Sequence, residues 1–179
     1  MLVKLSKKFS IIILSIFTVI LVFLSSFFIV EIGGYGAILN KVKQYSKSEN
    51  LSPQLVLAII KTESNFNKNA VSYKGAVGLM QLTKNTANYI AKITNFNGEI
   101  DLFNEDTNLI LGIKYLRYLS NKFSDINAVI CAYNAGETKV REWLDSSGNL
   151  VKNKVEYKET FNFLTKVKRR QSIYKVLVN

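Results

Sequence analysis

The feature that most limits what this chain can fold into is a run of 22 residues without a charged side chain, from Phe9 to Val30. The run is rich in isoleucine, leucine, phenylalanine and valine. As an α-helix that rises about 1.5 Å per residue, it would span a hydrocarbon layer of about 30 Å. A buried core helix of this length is unusual, so the run predicts a single membrane-spanning helix.

A cleaved signal peptide is the main alternative, because basic residues in front of an apolar run suit both kinds of segment. The apolar part of a signal peptide usually has about 7 to 15 residues, and the residues that follow this run offer a poor small-residue cleavage site. We therefore expect a retained anchor. Lys4, Lys7 and Lys8 precede the run and Glu31 follows it. The positive-inside tendency then predicts a cytoplasmic N-terminus and places residues 31 to 179 outside the cell membrane.

The rest of the chain has the length of one ordinary domain. We divide the sequence into a basic stub (residues 1–8), an anchor (9–30), a short linker (31–37) and one domain (38–179). Pro53 is the only proline and there are nine glycines. This composition argues against a long disordered linker.

Apolar residues in the domain recur at helical spacing nearly throughout, and strand signals are weak. Ser52 and Pro53 predict the N-cap and first turn of a helix that continues through Ile60. Other helices are predicted around Ile38–Tyr45, from Thr83 to Ile93, from a cap at Asp106 or Thr107 through Leu119, from a cap at Ser124 or Asp125 to Tyr133, from Glu137 to Leu144, and from Lys158 to Val178. The domain is therefore predicted to be mainly α.

The absence of histidine, together with a single cysteine, excludes several chemistries. There can be no Ser-His-Asp triad, no Cys-His pair and no zinc site with histidine ligands. Cys131 lies in an apolar stretch, so we assign it to the core. No metal or cofactor is expected, and carboxyl groups are the remaining candidates for catalysis.

The formal net charge of +11 favours a polyanionic partner. Anionic wall polymers, lipid headgroups and nucleic acid all fit such a charge, and charge alone does not choose among them. The basic run Lys166, Lys168, Arg169 and Arg170 is typical of a solvated helix face. Because the domain is expected outside the membrane, we do not expect nucleic acid as a partner.

Glu63 is the strongest candidate for acid–base chemistry. It continues the stripe of Val56 and Ile60 at helical spacing, so it is predicted to project from the apolar face of its helix. Loss of solvent there would raise its pKa and keep it protonated near neutral pH, as a general acid requires. The alternative is a glutamate at a helix end, half exposed or paired with Lys61 or Lys68.

Three sequence blocks occur in a fixed order: Glu-Ser at 63–64, Gly-Leu-Met-Gln at 78–81 and Ala-Tyr-Asn-Ala-Gly at 132–136. Together with residues 70–76 and 108–116, they resemble the catalytic domain of lytic transglycosylases, the SLT or goose-lysozyme-like family. The resemblance covers roughly residues 38 to 176. It implies a lysozyme-like, mostly helical fold with a groove that binds the glycan strands of peptidoglycan.

The resemblance also implies a reaction with Glu63 as the sole acid and base. The acid would protonate the bond between N-acetylmuramic acid and N-acetylglucosamine. It would then accept the proton of the muramic acid 6-hydroxyl, which gives a 1,6-anhydro product. Most glycosidases need a second carboxylate, whereas an intramolecular attack does not.

The matched blocks supply further candidate residues. Ser72 and Asn134 resemble residues that bind the N-acetyl group or position the sugar ring, and Met80 and Gln81 would line the groove. Gly78 would permit close approach of the backbone or simply form a turn. Tyr133 would form a hydrogen bond near Glu63 or pack in the core. The full predicted substrate-binding set is Ser64, Ser72, Gly78, Met80, Gln81, Tyr133 and Asn134.

One block departs from the family pattern, which usually reads Glu-Thr-Arg-x-Tyr-Val in the last helix. Here Phe161 and Phe163 replace the arginine and the tyrosine. The resemblance gives that tyrosine a hydroxyl contact with the catalytic glutamate. Its loss would leave the charged form of Glu63 less supported.

Two alternative functions remain open on the sequence alone. A goose-type muramidase would use water in place of the 6-hydroxyl and would release hydrolysed products. A non-catalytic module would bind glycan and anchor an envelope-spanning complex. The expected partners are peptidoglycan strands and, through residues 9–30, the cell membrane.

Overall fold

The computed structural model describes residues 7–32 and 34–178 of the chain. It divides into two compact units, with the boundary between Gly33 and Gly34. The first unit is one helix, α1 (Lys7–Ile32). Its segment Lys7–Ser26 is long and apolar enough to cross a membrane, and large side chains such as Phe23 are exposed. α1 ends at Ile32 and the next helix begins at Tyr35, so helical residues occupy part of the segment 31–37.

In its described part, the second unit contains seven α-helices and one short 3-10 helix. The α-helices are α2 (Tyr35–Ser48), α3 (Pro53–Glu63), α4 (Lys84–Ile93), α5 (Glu105–Lys122), α6 (Ile126–Ala135), α7 (Glu137–Arg141) and α8 (Lys158–Leu177), and the 3-10 helix is Lys152–Lys154. Isolated bridges such as Val71 with Val77 are the only β-type pairings among the described residues. The prediction of a mainly helical fold is therefore confirmed.

Side-chain caps explain where several helices begin. The Ser52 hydroxyl accepts a hydrogen bond from the Leu55 amide, and Pro53 occupies the first turn, as predicted. Asp125 caps α6, which is one of the two predicted positions. The predicted cap of α5 was wrong, because Asn104 accepts the hydrogen bond from the Thr107 amide.

Two predicted boundaries differ for a physical reason. With Asn104 as the cap, Glu105 and Asp106 fall in the first turn of α5. Their negative charges are stabilised there by the positive end of the helix dipole. The helix predicted from Glu137 to Leu144 stops at Arg141. The chain then turns so that Leu144 forms an isolated bridge with Leu150.

The core of this unit is built around α3. Val56, Leu57, Ala58, Ile59 and Ile60 are all completely buried. A helix that is apolar on every side must be surrounded by protein, and here α2 and α8 pack against it. Cys131 is also completely buried, as predicted. Because α3 runs through the core, its last residue emerges where the core meets the surface.

Candidate active site

A cavity of about 340 Å³ opens at the C-terminal end of α3. Its walls come from the end of α3, the loop between α3 and α4, the first turn of α4, the middle of α5, the end of α6 and the beginning of α8. The lining residues are Glu63, Ser72, Tyr73, Lys74, Ala76, Gln81, Leu82, Thr83, Thr86, Tyr115, Tyr133, Asn134, Ala135, Gly136 and Glu159. The structure thus brings parts of all three sequence blocks to one cavity.

Glu63 is the last residue of α3 and lines this cavity. The residue is partly accessible, but protein encloses the carboxyl group enough to raise its pKa to about 8, mainly by desolvation. The negative charge of Glu159 adds to the increase. Among the described residues, no ion pair includes Glu63, so the alternative pairing with Lys61 or Lys68 does not occur. Glu63 is therefore a carboxylic acid that stays largely protonated at neutral pH.

Asn108 holds the loop beside Glu63 in place from within α5. Its side-chain oxygen accepts a hydrogen bond from the Met80 amide at 2.9 Å. Its amide nitrogen donates to the carbonyl oxygens of Val77 and Leu102, both at 2.9 Å. Asn108 itself is only 1% exposed. One buried amide therefore bonds three backbone groups, and two of them, the Met80 amide and the Leu102 carbonyl oxygen, would otherwise be buried without a hydrogen bond.

Gly78 makes the close approach to Asn108 possible. Its φ of +80° is a left-handed conformation, and a Cβ atom there would collide with the Asn108 side chain and lie 2.7 Å from the Leu102 carbonyl oxygen. Gly112 of α5 plays a similar part for Met80, because a Cβ at that position would collide with the methionine side chain. Both glycines let the loop sit directly on α5.

Three of the predicted substrate-binding residues, Ser64, Gly78 and Met80, do not line the cavity. Met80 is completely buried, so its side chain belongs to the core. Ser64 is also buried, and its hydroxyl donates to the Leu79 carbonyl oxygen at 2.8 Å. These residues fix the loop against the end of α3 and position the groups that do face the cavity.

Tyr133 lies at the inner wall of the cavity. Its hydroxyl donates a hydrogen bond to the Met80 carbonyl oxygen at 2.8 Å. Burial, followed by the nearby charge of Glu63, raises the pKa of Tyr133 well above its usual value. Tyr133 is thus close enough to Glu63 to be affected by its charge, while its own proton is directed to the loop.

Ser72, Gln81 and Asn134 supply polar atoms at the cavity wall. The Ser72 hydroxyl accepts from the Ala76 amide at 3.0 Å and closes a tight turn. Gln81 uses its side-chain nitrogen for two backbone carbonyl oxygens of the same loop, which fixes the orientation of its amide group. Asn134 accepts from the Thr160 hydroxyl at 2.7 Å. These bonds hold amide and hydroxyl groups in place, and such groups can bind an acetamido substituent.

Glu159 is the main cavity residue that the sequence prediction missed. It lies in the first turn of α8, lines the cavity, and pairs with Lys74 at 3.8 Å. Its position in the Glu-Thr block was a usable signal, but nothing in the sequence showed that it faces Glu63. Phe163, one turn further along α8, is buried in the core. Among the described side chains, none donates a hydrogen bond to the Glu63 carboxylate.

Comparison with known protein families places these residues in context. Residues 40–156 match the family model of the transglycosylase SLT domain. Membrane-bound lytic murein transglycosylase C of Histophilus somni is 32% identical over 157 residues, which cover 72% of this chain and 43% of that protein. The soluble lytic murein transglycosylase of Salmonella typhimurium is 34% identical over 113 residues, covering 60% of this chain and 17% of that protein.

Solved structures give the same picture of the fold. The 70 kDa soluble lytic transglycosylase of Escherichia coli superposes with a TM-score of 0.71 at 28% identity, over 77% of this chain and 24% of that chain. The lytic transglycosylase Slt of Pseudomonas aeruginosa also gives a TM-score of 0.71 at 28% identity, with the same coverage. This chain spans less than half the length of each of these relatives.

Proposed function

Since the chain belongs to the transglycosylase SLT family, we propose that it cleaves the β-1,4 bond between N-acetylmuramic acid and N-acetylglucosamine in peptidoglycan. The observation that carries this proposal is the raised pKa of Glu63 inside a cavity large enough for a sugar unit. A carboxylic acid that keeps its proton near neutral pH can protonate a glycosidic oxygen. The relatives named as lytic murein transglycosylases support this choice of substrate.

The reaction proceeds in two proton transfers at Glu63. The carboxylic acid first gives its proton to the glycosidic oxygen, the bond from that oxygen to C1 of the muramic acid breaks, and N-acetylglucosamine leaves with the proton. The Glu63 carboxylate then removes the proton of the 6-hydroxyl, and O6 forms a bond to C1. Because the nucleophile is part of the same sugar, it is held near C1 without a water-binding residue. The product is a 1,6-anhydromuramic acid end, and Glu63 is protonated again.

A hydrolytic reaction is the second candidate, because Glu159 places another carboxyl group at the same cavity. A second carboxylate can act as a base for water. Glu159 is well exposed, however, and its carboxylate lies 3.8 Å from the Lys74 ammonium group. We therefore assign it an electrostatic influence on Glu63 and no proton transfer.

The two reactions are distinguished by the mass of the released muropeptides. The chain is incubated with purified peptidoglycan, and the soluble products are analysed by mass spectrometry. Anhydro products are one water lighter than hydrolysed products. Predominantly hydrolysed ends that disappear in Glu159→Gln would replace our proposal with the hydrolytic one.

The pH dependence of cleavage follows from the pKa of Glu63. Because the acid form is required in the first step, kcat/KM is expected to fall about tenfold per pH unit above a pKa of about 8. The charge of Glu159 raises this pKa, so Glu159→Gln is expected to move the fall in rate to lower pH. Rates of peptidoglycan cleavage measured from about pH 6 to about pH 10 test both statements.

Glu99→Gln is the matched control for this shift. Glu99 is exposed and does not line the cavity. Its replacement removes the same charge from the domain and is expected to leave the pH profile unchanged. An identical profile for the wild type and Glu159→Gln would contradict the electrostatic role of Glu159.

We further propose that α1 anchors the chain in the cell membrane with the N-terminus in the cytoplasm and the catalytic unit outside. The apolar length of Lys7–Ser26 and the three lysines at or before its N-terminal end support this topology. The name of the membrane-bound relative from Histophilus somni agrees with a membrane location. Peptidoglycan would then be directly accessible to Glu63.

Fractionation of cells that produce the chain tests the anchor. The full chain is expected in the membrane fraction, to resist extraction by high salt, and to be released by detergent. A variant that lacks residues 1–33 is expected in the soluble fraction. Release of the full chain by salt alone would show that only its basic charge holds it at the membrane.

A further inference from the structure

A second, shallower cavity of about 300 Å³ adjoins the one that contains Glu63. The two cavities share Thr86 and Tyr115 in their walls. The remaining lining residues of the second cavity are Asn85, Tyr89, Tyr118 and Glu137. A polymer that leaves the first cavity on this side would therefore pass over a surface formed by α4, α5 and the first residue of α7.

Four tyrosines form a continuous row from the catalytic cavity to this surface. The ring centroids of Tyr133 and Tyr115 are 5.2 Å apart, those of Tyr115 and Tyr118 are 6.5 Å apart, and those of Tyr118 and Tyr89 are 5.7 Å apart. Exposure increases along the row, from 8% for Tyr133 to 49% for Tyr89. The outer end of the row is an aromatic surface that no described side chain covers fully.

Hydrogen bonds fix the outer two rings. The Tyr89 hydroxyl donates to the Tyr118 hydroxyl at 3.4 Å, and the Tyr118 hydroxyl donates to the Glu137 carboxylate at 2.7 Å. Arg141 donates to the other oxygen of Glu137 at 2.6 Å and, with Tyr118, holds the pKa of Glu137 below its usual value. The surface thus combines two oriented aromatic rings with an ionised carboxylate, which only accepts hydrogen bonds.

This combination matches the chemistry of a β-linked N-acetylhexosamine. Such a sugar presents a face of C–H groups, which can pack on an aromatic ring, and hydroxyl groups at its edge, which can donate to a carboxylate. The site is shallow and directly continuous with the catalytic cavity, as a strand of linked sugars requires.

We infer that Tyr89, Tyr118 and Glu137 form an outer sugar subsite, which holds an N-acetylhexosamine unit of the same glycan strand that Glu63 cuts. This inference rests on the proposed function. Tyr89 supplies the exposed packing surface, and Tyr118 and Glu137 keep that surface oriented and accept hydrogen bonds. The subsite would raise the affinity for long strands without taking part in the chemical step.

The test measures binding without cleavage. The full chain carrying Glu63→Gln is solubilised in detergent and titrated with the hexamer of N-acetylglucosamine in a calorimeter. Adding Tyr89→Ala is expected to weaken hexamer binding about fivefold, because the aromatic contact is lost. Tyr89→Phe keeps the ring and is expected to remain within about twofold of the parent. Alanine is a good helix former, so the exposed position in α4 tolerates the change.

Phe103→Ala is the matched control. Phe103 is 52% exposed, similar to Tyr89, and lines neither cavity. Its loss removes an exposed aromatic ring elsewhere and is expected to leave the hexamer affinity unchanged.

Equal hexamer affinities for Tyr89→Ala and its parent would overturn the subsite, whether or not the wild type cleaves peptidoglycan. A parent that fails to bind the hexamer would overturn it as well. A Tyr89-dependent affinity in a chain whose wild type releases no muropeptides would leave the subsite in place and refute the proposed activity. The two failures are therefore distinguishable.

Discussion

Replacing Glu63 with glutamine is expected to reduce the release of soluble muropeptides from purified peptidoglycan by about a thousandfold or more. Glutamine has nearly the same shape, but it cannot give a proton to the glycosidic oxygen or accept one from the 6-hydroxyl. Both steps of the proposed reaction use this one carboxyl group. Among the described residues, no second carboxyl group is enclosed in the same cavity position. The measurement is the rate of muropeptide release in a metal-free buffer.

Folding provides the control for this variant. Glu63 has a pKa of about 8 in the folded chain and an ordinary value of 4.5 when exposed. Between these values the folded state holds a proton that the unfolded state has lost, so the wild type loses stability as pH rises through this range. Glutamine cannot ionise, so Glu63→Gln is expected to be at least as stable as the wild type near pH 8. Activity that survives in this well-folded variant would refute the assignment of the acid.

The second large effect is expected from Asn108→Ala. The change removes a buried side chain that bonds the Met80 amide and the Val77 and Leu102 carbonyl oxygens. The Val77 oxygen keeps a backbone hydrogen bond, but the Met80 amide and the Leu102 oxygen are left without partners. Their loss should cost about 3 kcal/mol. In a domain of this size that corresponds to a fall in Tm of about 6 to 12 °C. Activity should fall with it, because the same loop carries Gln81 to the cavity wall.

Asn121→Ala is the control, because it removes an asparagine side chain from α5 without removing these hydrogen bonds. Asn121 lies on the same helix and is exposed. Its replacement is expected to change Tm by no more than about 2 °C, as is usual for surface substitutions. If Asn108→Ala and Asn121→Ala unfolded at the same temperature, the loop would be held by other contacts.

The position of Glu63 could be predicted because it depends on local periodicity. Val56 and Ile60 mark one buried side of α3, and a helix repeats that direction regularly. The caps at Ser52 and Asp125 could also be predicted, because a cap depends on residues that are neighbours in the sequence. The cap of α5 was misplaced because Asn104, Asp106 and Thr107 are all suitable cap residues, and the choice among them depends on how the helix packs.

The roles of Ser64 and Met80 could not be predicted from their motifs. A motif shows that residues lie near the catalytic acid, but it does not show which side chains turn into the core. That direction is set by Asn108 and Gly112, which come from α5 and contact the loop over a long sequence separation. The approach of Glu159 to Glu63 and the row of tyrosines depend on helix packing in the same way.

The central claim is that Glu63 keeps its proton at neutral pH, and a direct titration of its side chain tests this. The Glu63 carboxyl carbon is assigned in the NMR spectrum of a ¹³C-labelled chain by comparison with Glu63→Gln, and its chemical shift is followed with pH. We predict a midpoint near a pKa of about 8. A midpoint near the ordinary value of 4.5 would show that the carboxyl group is solvated and would contradict its role as the acid.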